Sequence, residues 1–317
     1  PVLRKEALRF LTGTARYVDD VKLPHMLHAA ILRSPHAHAR VLSIDPSVAL
    51  EMEGVEAVFT FQDIVQTVEP RPIPMRRGSY SGLERFLQFP LAGEKVRYVG
   101  EPVAVVVAES RYLAEDALDA IEVKYEPLRA IVDVWGSRKG DVLLFEEHGT
   151  NLALEFEGSL GDPDGAFAES EYTRKEEFRC HRHTGNPLET RGLVASFDTG
   201  TGDMTVWGET KVAHFNRGVL ASLLQMPEHR IHFIEPDVGG GFGIRGEFYP
   251  ENFIVPFCSM KLGRPVKWIE DRMEHLIAAN HSRASAWKAS SVSDRVSSIS
   301  ADPSSAPCRT GSAGARP

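Results

Sequence analysis

Between residues 27 and 45 the chain reads LHAAILRSPHAHARVLSID, apolar and polar by turns, which predicts a strand with one wet face. GVEAVFTFQDI, residues 54–64, continues strand-like and then turns. A different pattern follows in VRYVGEPVAVVVAES. The run from Val103 to Val107 has no polar interruption, so it predicts a strand buried on both faces. Behind it Leu113, Ala117 and Ile121 recur at helical spacing, with Ser110 as the expected cap and a further strand beyond. RPIPMRRGSYSGLERF, rich in Pro, Gly and Arg, reads as an exposed loop. The mixture predicts an α+β fold whose elements are too irregular for repeating βαβ units.

Gly, Asp and Pro cluster between residues 136 and 160, the mark of a linker. GLVASFDTGTGDMTVWGET then predicts a hairpin closed by TGTGD. VAHFNRGVLASLLQM predicts an amphipathic helix, and RIHFIEPDV a strand running into a cluster of glycines. ENFIVPFCSMKLG predicts a helix stopped by Gly263, and RPVKWIED another strand. Past Trp287 the leucines and aromatics vanish. A segment so poor in apolar side chains cannot offset its ordering entropy and is expected to be disordered. The abruptness of the change suggests a translation that has left its frame; a natural flexible tail is the alternative. The expected organisation is 1–135, a linker at 136–160, a second domain at 161–288 and a tail at 289–317.

Composition narrows the classes. The 317 residues carry a net charge of −8, which argues against a nucleic-acid partner held by charge. The cysteines, Cys180, Cys258 and Cys308, form no C-x-x-C pair, so a zinc ribbon or an iron–sulfur cluster on this chain is not expected. So few cysteines suit a reducing, cytoplasmic compartment. No apolar run has the length of a membrane span. The first residue is proline rather than methionine, so the chain is expected to have lost its true start.

The chemistry concentrates in EPDVGGGFGIRGEFYPE. Four of the five residues from Gly239 to Gly243 are glycine, a costly choice unless a backbone must come close to something. Gly241 to Gly246 matches G-x-G-x-x-G after a strand, with Glu270 near the spacing of a ribose-binding acid, so a nicotinamide dehydrogenase is one reading. That motif needs a helix to begin inside it, and Pro250 and Pro256 oppose one here. A turn that lets backbone pack on backbone is a second reading. Two H-x-H pairs, His36 with His38 and His181 with His183, could present metal ligands on a strand face, but no further ligands accompany them.

A third reading comes from resemblance. EPDVGGGFGIRGEFYPE resembles the glycine motif of molybdenum hydroxylase large subunits, the xanthine dehydrogenase, aldehyde oxidase and carbon monoxide dehydrogenase family. RFLTGTARYVDD, LRSPHAHARV and VRYVGEPVAVVVAES look like the a/b hammerhead domain of that family, in the same order. NPLETRG, WGETKVAHFNRG and LGRPVKWIEDRMEHL look like the first part of its α/β molybdopterin-binding domain.

The resemblance implies that Gly240, Gly241, Phe242 and Gly243 lie against a molybdenum–molybdopterin cofactor, with the cytosine dinucleotide form expected. Arg245 would add a cationic partner, or is a solvated surface arginine. Lys211 stands where many members have glutamine; it donates to the cofactor, or is a lysine facing water ahead of a helix. Glu189 orients substrate or a neighbouring loop, or is a buried carboxylate paired with an arginine such as Arg191. In the xanthine branch a substrate-binding glutamate stands where this chain has Gly246, which disfavours a purine. The family hydroxylates a carbon centre with oxygen from water, and passes electrons to iron–sulfur centres and FAD on other domains or subunits, expected here as partners in a dimer of heterotrimers. The glutamate base of the family lies in a later motif, so no catalytic residue is assigned and this chain alone is expected to be inactive. A non-catalytic binding or assembly module with the same fold is the alternative.

Overall fold

A computed structural model describes residues 4–76, 82–155, 157–158, 160–208, 210–281, 285–292 and 300–301. Two compact units divide the chain, and neither follows sequence order: 1–130 with 184–280, and 131–183 with 281–317.

In the first unit the strands are β1 (Leu27–Arg33), β2 (Ala39–Asp45), β3 (Val55–Thr60), β4 (Lys95–Val96), β5 (Pro102–Ala108) and β6 (Glu122–Pro127). The helices α1 (Ala7–Leu11), α2 (Ser47–Leu50), α3 (Phe61–Thr67) and α4 (Arg111–Asp119) accompany them. The second unit supplies α5 (Val134–Lys139), α6 (Pro163–Ala168) and β7 (Thr173–Cys180). The first unit resumes with β8 (Gly192–Asp198), β9 (Asp203–Gly208), α7 (Ala213–Leu224), β10 (Ile231–Ile234), α8 (Glu251–Leu262), β11 (Val266–Ile269) and α9 (Arg272–Ala278). Finally β12 (Ser285–Val292) and β13 (Ser300–Ala301) return to the second unit.

One seven-stranded sheet, ordered β10-β9-β8-β11-β1-β5-β3, organises the first unit. Its seam is the parallel pair of β1 with β11, Leu27 opposite Val266. On either side the pairs β1–β5, β5–β3, β11–β8 and β8–β9 are antiparallel. β5 is buried along its whole length, as its unbroken apolar run predicts. Val105 and Val107 enter a cluster with Leu27, Phe253, Phe257 and Trp268, while Val106 and Ala108 meet Ala114 and Ala117 of α4. Both faces are thus covered, one by α4 and the other by α8. The Ser110 hydroxyl caps α4 by accepting the Leu113 N–H at 3.2 Å. β2, β4 and β6 make a separate antiparallel sheet.

The single wet strand expected over 27–45 is instead two strands in different sheets. Ser34-Pro35 breaks it, and β1 is a central strand with Leu27, Ala29, Ala30 and Ile31 all buried. The hairpin β8–β9, the helix α7 and the strands β10 and β11 fall where the pattern puts them. α8 keeps Pro256 in its interior and ends at Gly263, whose φ of +61° suits glycine.

The second unit holds an antiparallel sheet ordered β13-β12-β7, with Ser285 opposite Cys180 and Val292 opposite Thr173. Within 136–160, α5 is capped by Asp133, and Asn151 donates to Ser137 O and Val142 O. Of the tail at 289–317, residues 289–292 and 300–301 are strand; 293–299 and 302–317 lie outside the described residues, as does Cys308. Residues 77–81 of the expected arginine-rich loop also lie outside them. No helix among the described residues is long and apolar enough to cross a membrane.

A buried ion cluster joins the two sequence segments of the first unit. Arg33, at the end of β1, reaches Glu251 Oε1 at 2.5 Å and Glu274 Oε1 at 2.7 Å. Arg191 reaches Glu251 Oε2 at 3.0 Å and also Glu270. Burial would raise the Glu251 carboxyl, but Arg191 and Arg33 override it and hold it down to about 2. Replacing Glu251 by Gln leaves two buried guanidiniums short of charge. We expect a loss of about 3–5 kcal/mol in urea unfolding, and a loss under about 1 kcal/mol would contradict the reading. The depressed carboxyl sets the sign with pH. Its contribution is complete above the ordinary glutamate value of about 4.3 and is lost as pH falls towards 2.

Candidate functional site

Strand β10 is the edge of the large sheet, and the glycine run leaves its end. Three residues of the run have positive φ: Gly240 at +109°, Phe242 at +46° and Gly243 at +96°. Phe242 is the costly one, since a side chain there strains the backbone by about 1–3 kcal/mol. The residue is 78% exposed, so packing does not offset that strain. The Ile244 N–H closes on Gly241 O at 3.0 Å, and a short 3-10 turn, Ile244–Gly246, ends the run.

The backbone N–H groups of Gly240, Gly241, Phe242 and Gly243 find no acceptor among the described residues. Consecutive amides in a turn of mixed handedness are a known way to bind anionic oxygens. The glycines differ in what they permit. A Cβ at Gly239 would stand 2.4 Å from Glu189 Cβ, and one at Gly240 3.0 Å from Pro187 Cβ. At Gly241 it would meet only Arg245 Cδ, at 3.9 Å. Gly241 has ordinary φ as well, so neither strain nor internal packing requires glycine there. Open space beside unpaired amides fits a group from outside the chain.

Glu189 and Arg245 hold the run in place. The Gly239 N–H donates to Glu189 Oε2 at 2.5 Å, and the Glu189 N–H donates to Gly239 O at 3.4 Å. Arg245 donates from Nε to Gly240 O at 2.6 Å and from Nη2 to Glu189 O at 2.9 Å; its Nη2 lies 3.5 Å from the Glu189 carboxylate. The arginine beside Glu189 is therefore Arg245. Arg191 is committed elsewhere, to Glu251 and Glu270. Arg245 is buried, so the solvated-surface alternative fails. Burial raises the Glu189 carboxyl, opposed by the Gly239 N–H and by Arg245.

Lys211 is exposed just ahead of α7, and its N–H donates to Arg245 O at 2.9 Å. The segment carrying it is thereby pinned to the glycine run. Residues 186–190 are gripped from α9 and from Glu270, the residue after β11. Arg272 donates to Pro187 O at 2.8 Å and Leu188 O at 2.9 Å, and Thr190 Oγ1 donates to Glu270 O at 2.6 Å. Arg272 and His275 belong to this assembly without having been singled out by sequence. Contacts across 80 residues or more leave no local signal.

The other candidates take no part in the loop. G-x-G-x-x-G opens no α-helix, because only a 3-10 turn, Ile244–Gly246, falls in it and α8 starts at Glu251. Glu270 is wholly buried against Arg191 and His275, so it is no ribose acceptor. His36 and His38 lie in coil, with His38 bonded to Arg129 O at 3.0 Å, and His181 and His183 follow the end of β7. The described residues contain no group of three or more His, Cys, Asp or Glu side chains able to hold a metal. Cys258 is buried in α8, its thiol pushed up by burial.

Two family profiles match the chain: an aldehyde oxidase and xanthine dehydrogenase a/b hammerhead domain over residues 12–129, and a molybdopterin cofactor-binding domain over residues 144–301. The carbon monoxide dehydrogenase large chain of Afipia carboxidovorans is 40% identical over 294 residues, 88% of this chain and 35% of that protein. Subunit gamma of the 6-hydroxypseudooxynicotine dehydrogenase complex of Paenarthrobacter nicotinovorans is 37% identical, over 89% of this chain and 35% of that protein. Among solved structures, quinoline 2-oxidoreductase from Pseudomonas putida superposes with a TM-score of 0.80 at 36% identity, over 91% of this chain and 36% of that one. The chain spans about a third of the length of the curated relatives it matches.

Glu189→Ala removes the acceptor of the Gly239 N–H and the carboxylate beside buried Arg245. We expect a loss of about 1–3 kcal/mol in unfolding experiments. Faster amide exchange at Gly239 should accompany it. Stability and exchange equal to those of the parent chain would show that the clamp does not hold the run.

Proposed function

The chain belongs to the molybdenum hydroxylase large-subunit family, which includes xanthine dehydrogenase, aldehyde oxidase and carbon monoxide dehydrogenase, and from that premise we propose that its glycine run is the cofactor cradle of such an enzyme. The members of this family are molybdenum oxidoreductases. The observation that carries the proposal is the row of four amides, Gly240 to Gly243, without acceptors and beside open space at Gly241.

In this reading those amides bind anionic oxygens of molybdopterin, and the buried Arg245 shapes the run rather than touching the ligand. Lys211 brings a cation next to the run, where an anionic cofactor would favour it. Glu189 acts on bound substrate only through the loop that it holds. When bound, the cofactor supplies two-electron oxidation of a carbon centre with oxygen from water. An aldehyde, a heterocycle or carbon monoxide is the substrate class, and Gly246 disfavours a purine.

The wider assignment follows the family. We place the hammerhead portion at 1–135 and the first cofactor-binding portion at 161–288. We assign the cytosine dinucleotide form of the cofactor, iron–sulfur and flavin partners in a dimer of heterotrimers, and a cytoplasmic location. Turnover is assigned to the complete enzyme rather than to these residues alone.

Gly241→Val tests the cradle. A Cβ at this position meets only Arg245 Cδ, at 3.9 Å, so folding should be spared. Titration with molybdopterin, followed by pterin fluorescence, should give an affinity lower by about tenfold or more than that of the parent chain. Equal affinity, at an equal urea midpoint, would overturn the proposal.

A further inference from the structure

Between α3 and β4 the chain reads RPIPMR at residues 71–76, with two prolines around one isoleucine. Ile73 is buried in the main core, and its N–H donates to Gln88 O at 2.8 Å. The prolines stiffen the backbone on either side of that anchor. Arg76 is thus presented from a fixed point, and its guanidinium lies against the end of the glycine run.

The contact is at Gly246, the last residue of the 3-10 turn, whose N–H closes on Gly243 O at 3.3 Å. Such a turn advances about 2 Å per residue, so Gly246 stands about 6 Å beyond Gly243. Its φ is not positive, and a Cβ there would meet only Arg76 Nη2, at 3.9 Å. Neither strain nor packing asks for glycine here. The missing side chain leaves room between the turn and the guanidinium.

Arg76 itself is poorly satisfied. Its side chain is one-third exposed, yet its Nε is buried without a hydrogen-bond acceptor among the described residues. Glu247 Oε1 lies 3.8 Å from its Nη2, beyond hydrogen-bond reach, and so exposed a pair contributes little. Arg264, equally exposed, donates instead to His25 O at 3.1 Å and Glu56 Oε1 at 2.6 Å. A guanidinium is a planar fork of donors that matches two oxygens of one oxyanion. Arg76 holds such a fork beside unfilled space.

We propose that Arg76 and Gly246 form an oxyanion subsite at the end of the glycine run, holding a carboxylate of the substrate or a phosphate of the cofactor. A side chain at position 246 would close the space, and an acidic one would occupy the cation. Glu247 competes for the same cation and weakens the subsite. The link to catalysis rests on the cradle reading above; the binding of an oxyanion does not.

NMR of the full chain with isotope-labelled arginine tests the subsite, with benzoate as the probe at about 0.15 M salt. The Arg76 Nε–H and the Gly246 amide should shift together and saturate, with a midpoint of about 10 mM or below. Benzamide, of the same shape without the charge, should leave both in place. Arg71, exposed and paired with Glu69, is the internal control. A drift at Arg76 that fails to saturate, like that of Arg71, overturns the proposal, as does an equal response to benzamide.

The variants carry opposite signs. Arg76→Gln and Gly246→Glu should each weaken benzoate binding by about tenfold or more, and Glu247→Gln should tighten it by about threefold. Unchanged binding in Arg76→Gln or Gly246→Glu, at an unchanged urea midpoint, refutes the assignment. Pterin fluorescence on Arg76→Gln then separates the two sources. A molybdopterin affinity lower by about threefold or more assigns the subsite to a cofactor phosphate. An unchanged one, with benzoate binding lost, assigns it to a substrate carboxylate. Gly241→Val should leave benzoate binding unaltered, so the cradle can fail while the subsite stands.

Discussion

Glu251 grips two arginines from distant parts of the chain, Arg33 at the end of β1 and Arg191 just ahead of β8. All three side chains are nearly or wholly withdrawn from water. Taking such charges out of solvent is expensive, and the expense is offset only while each keeps its partners. The cluster therefore acts as a condition on the fold. β1 and β11 must lie side by side, α8 must start where it does, and α9 must bring Glu274 and His275 within reach. Backbone fit supports the same joint. Gly100 has φ of +93°, and a Cβ there would come within 2.7 Å of the Ile277 carbonyl oxygen in α9.

The candidate site is built outward from that joint. Glu270 and His275 connect the cluster to the 185–190 segment, through Thr190 and Gly185. That segment in turn holds the glycine run through Glu189 and Arg245. The steps made by Glu189 and Arg245 are charged groups bonded to backbone groups, which fix position more firmly than neutral contacts do. The chain thereby supports a strained, solvent-facing turn whose own amides are left for something else. Strain at a turn of this kind persists only where its surroundings over-determine it.

Much of this was legible in the sequence where the signal is local. The apolar run at Val103 to Val107, the Ser110 cap, the TGTGD hairpin and the Gly263 stop each depend on neighbours a few residues away, and each was found as expected. The glycine run announced itself because three of its residues need positive φ and Gly239 tolerates no side chain. The split of 27–45 was missed because alternation alone cannot tell a half-wet strand from two strands parted by Ser34-Pro35. Arg245 was undecided between ligand and surface because its burial depends on Glu189, 56 residues away. The ion cluster was invisible for the same reason. Charged residues in sequence look like surface residues until tertiary structure pairs them.

The central claim is that the amides of Gly240 to Gly243 are the groups that meet molybdopterin. Residue-resolved hydrogen exchange of the chain, with and without molybdopterin, tests it most directly. The account predicts marked slowing at those four amides, while that of Gly239, already bonded to Glu189, changes little. Slowing elsewhere with these four unaffected would contradict it.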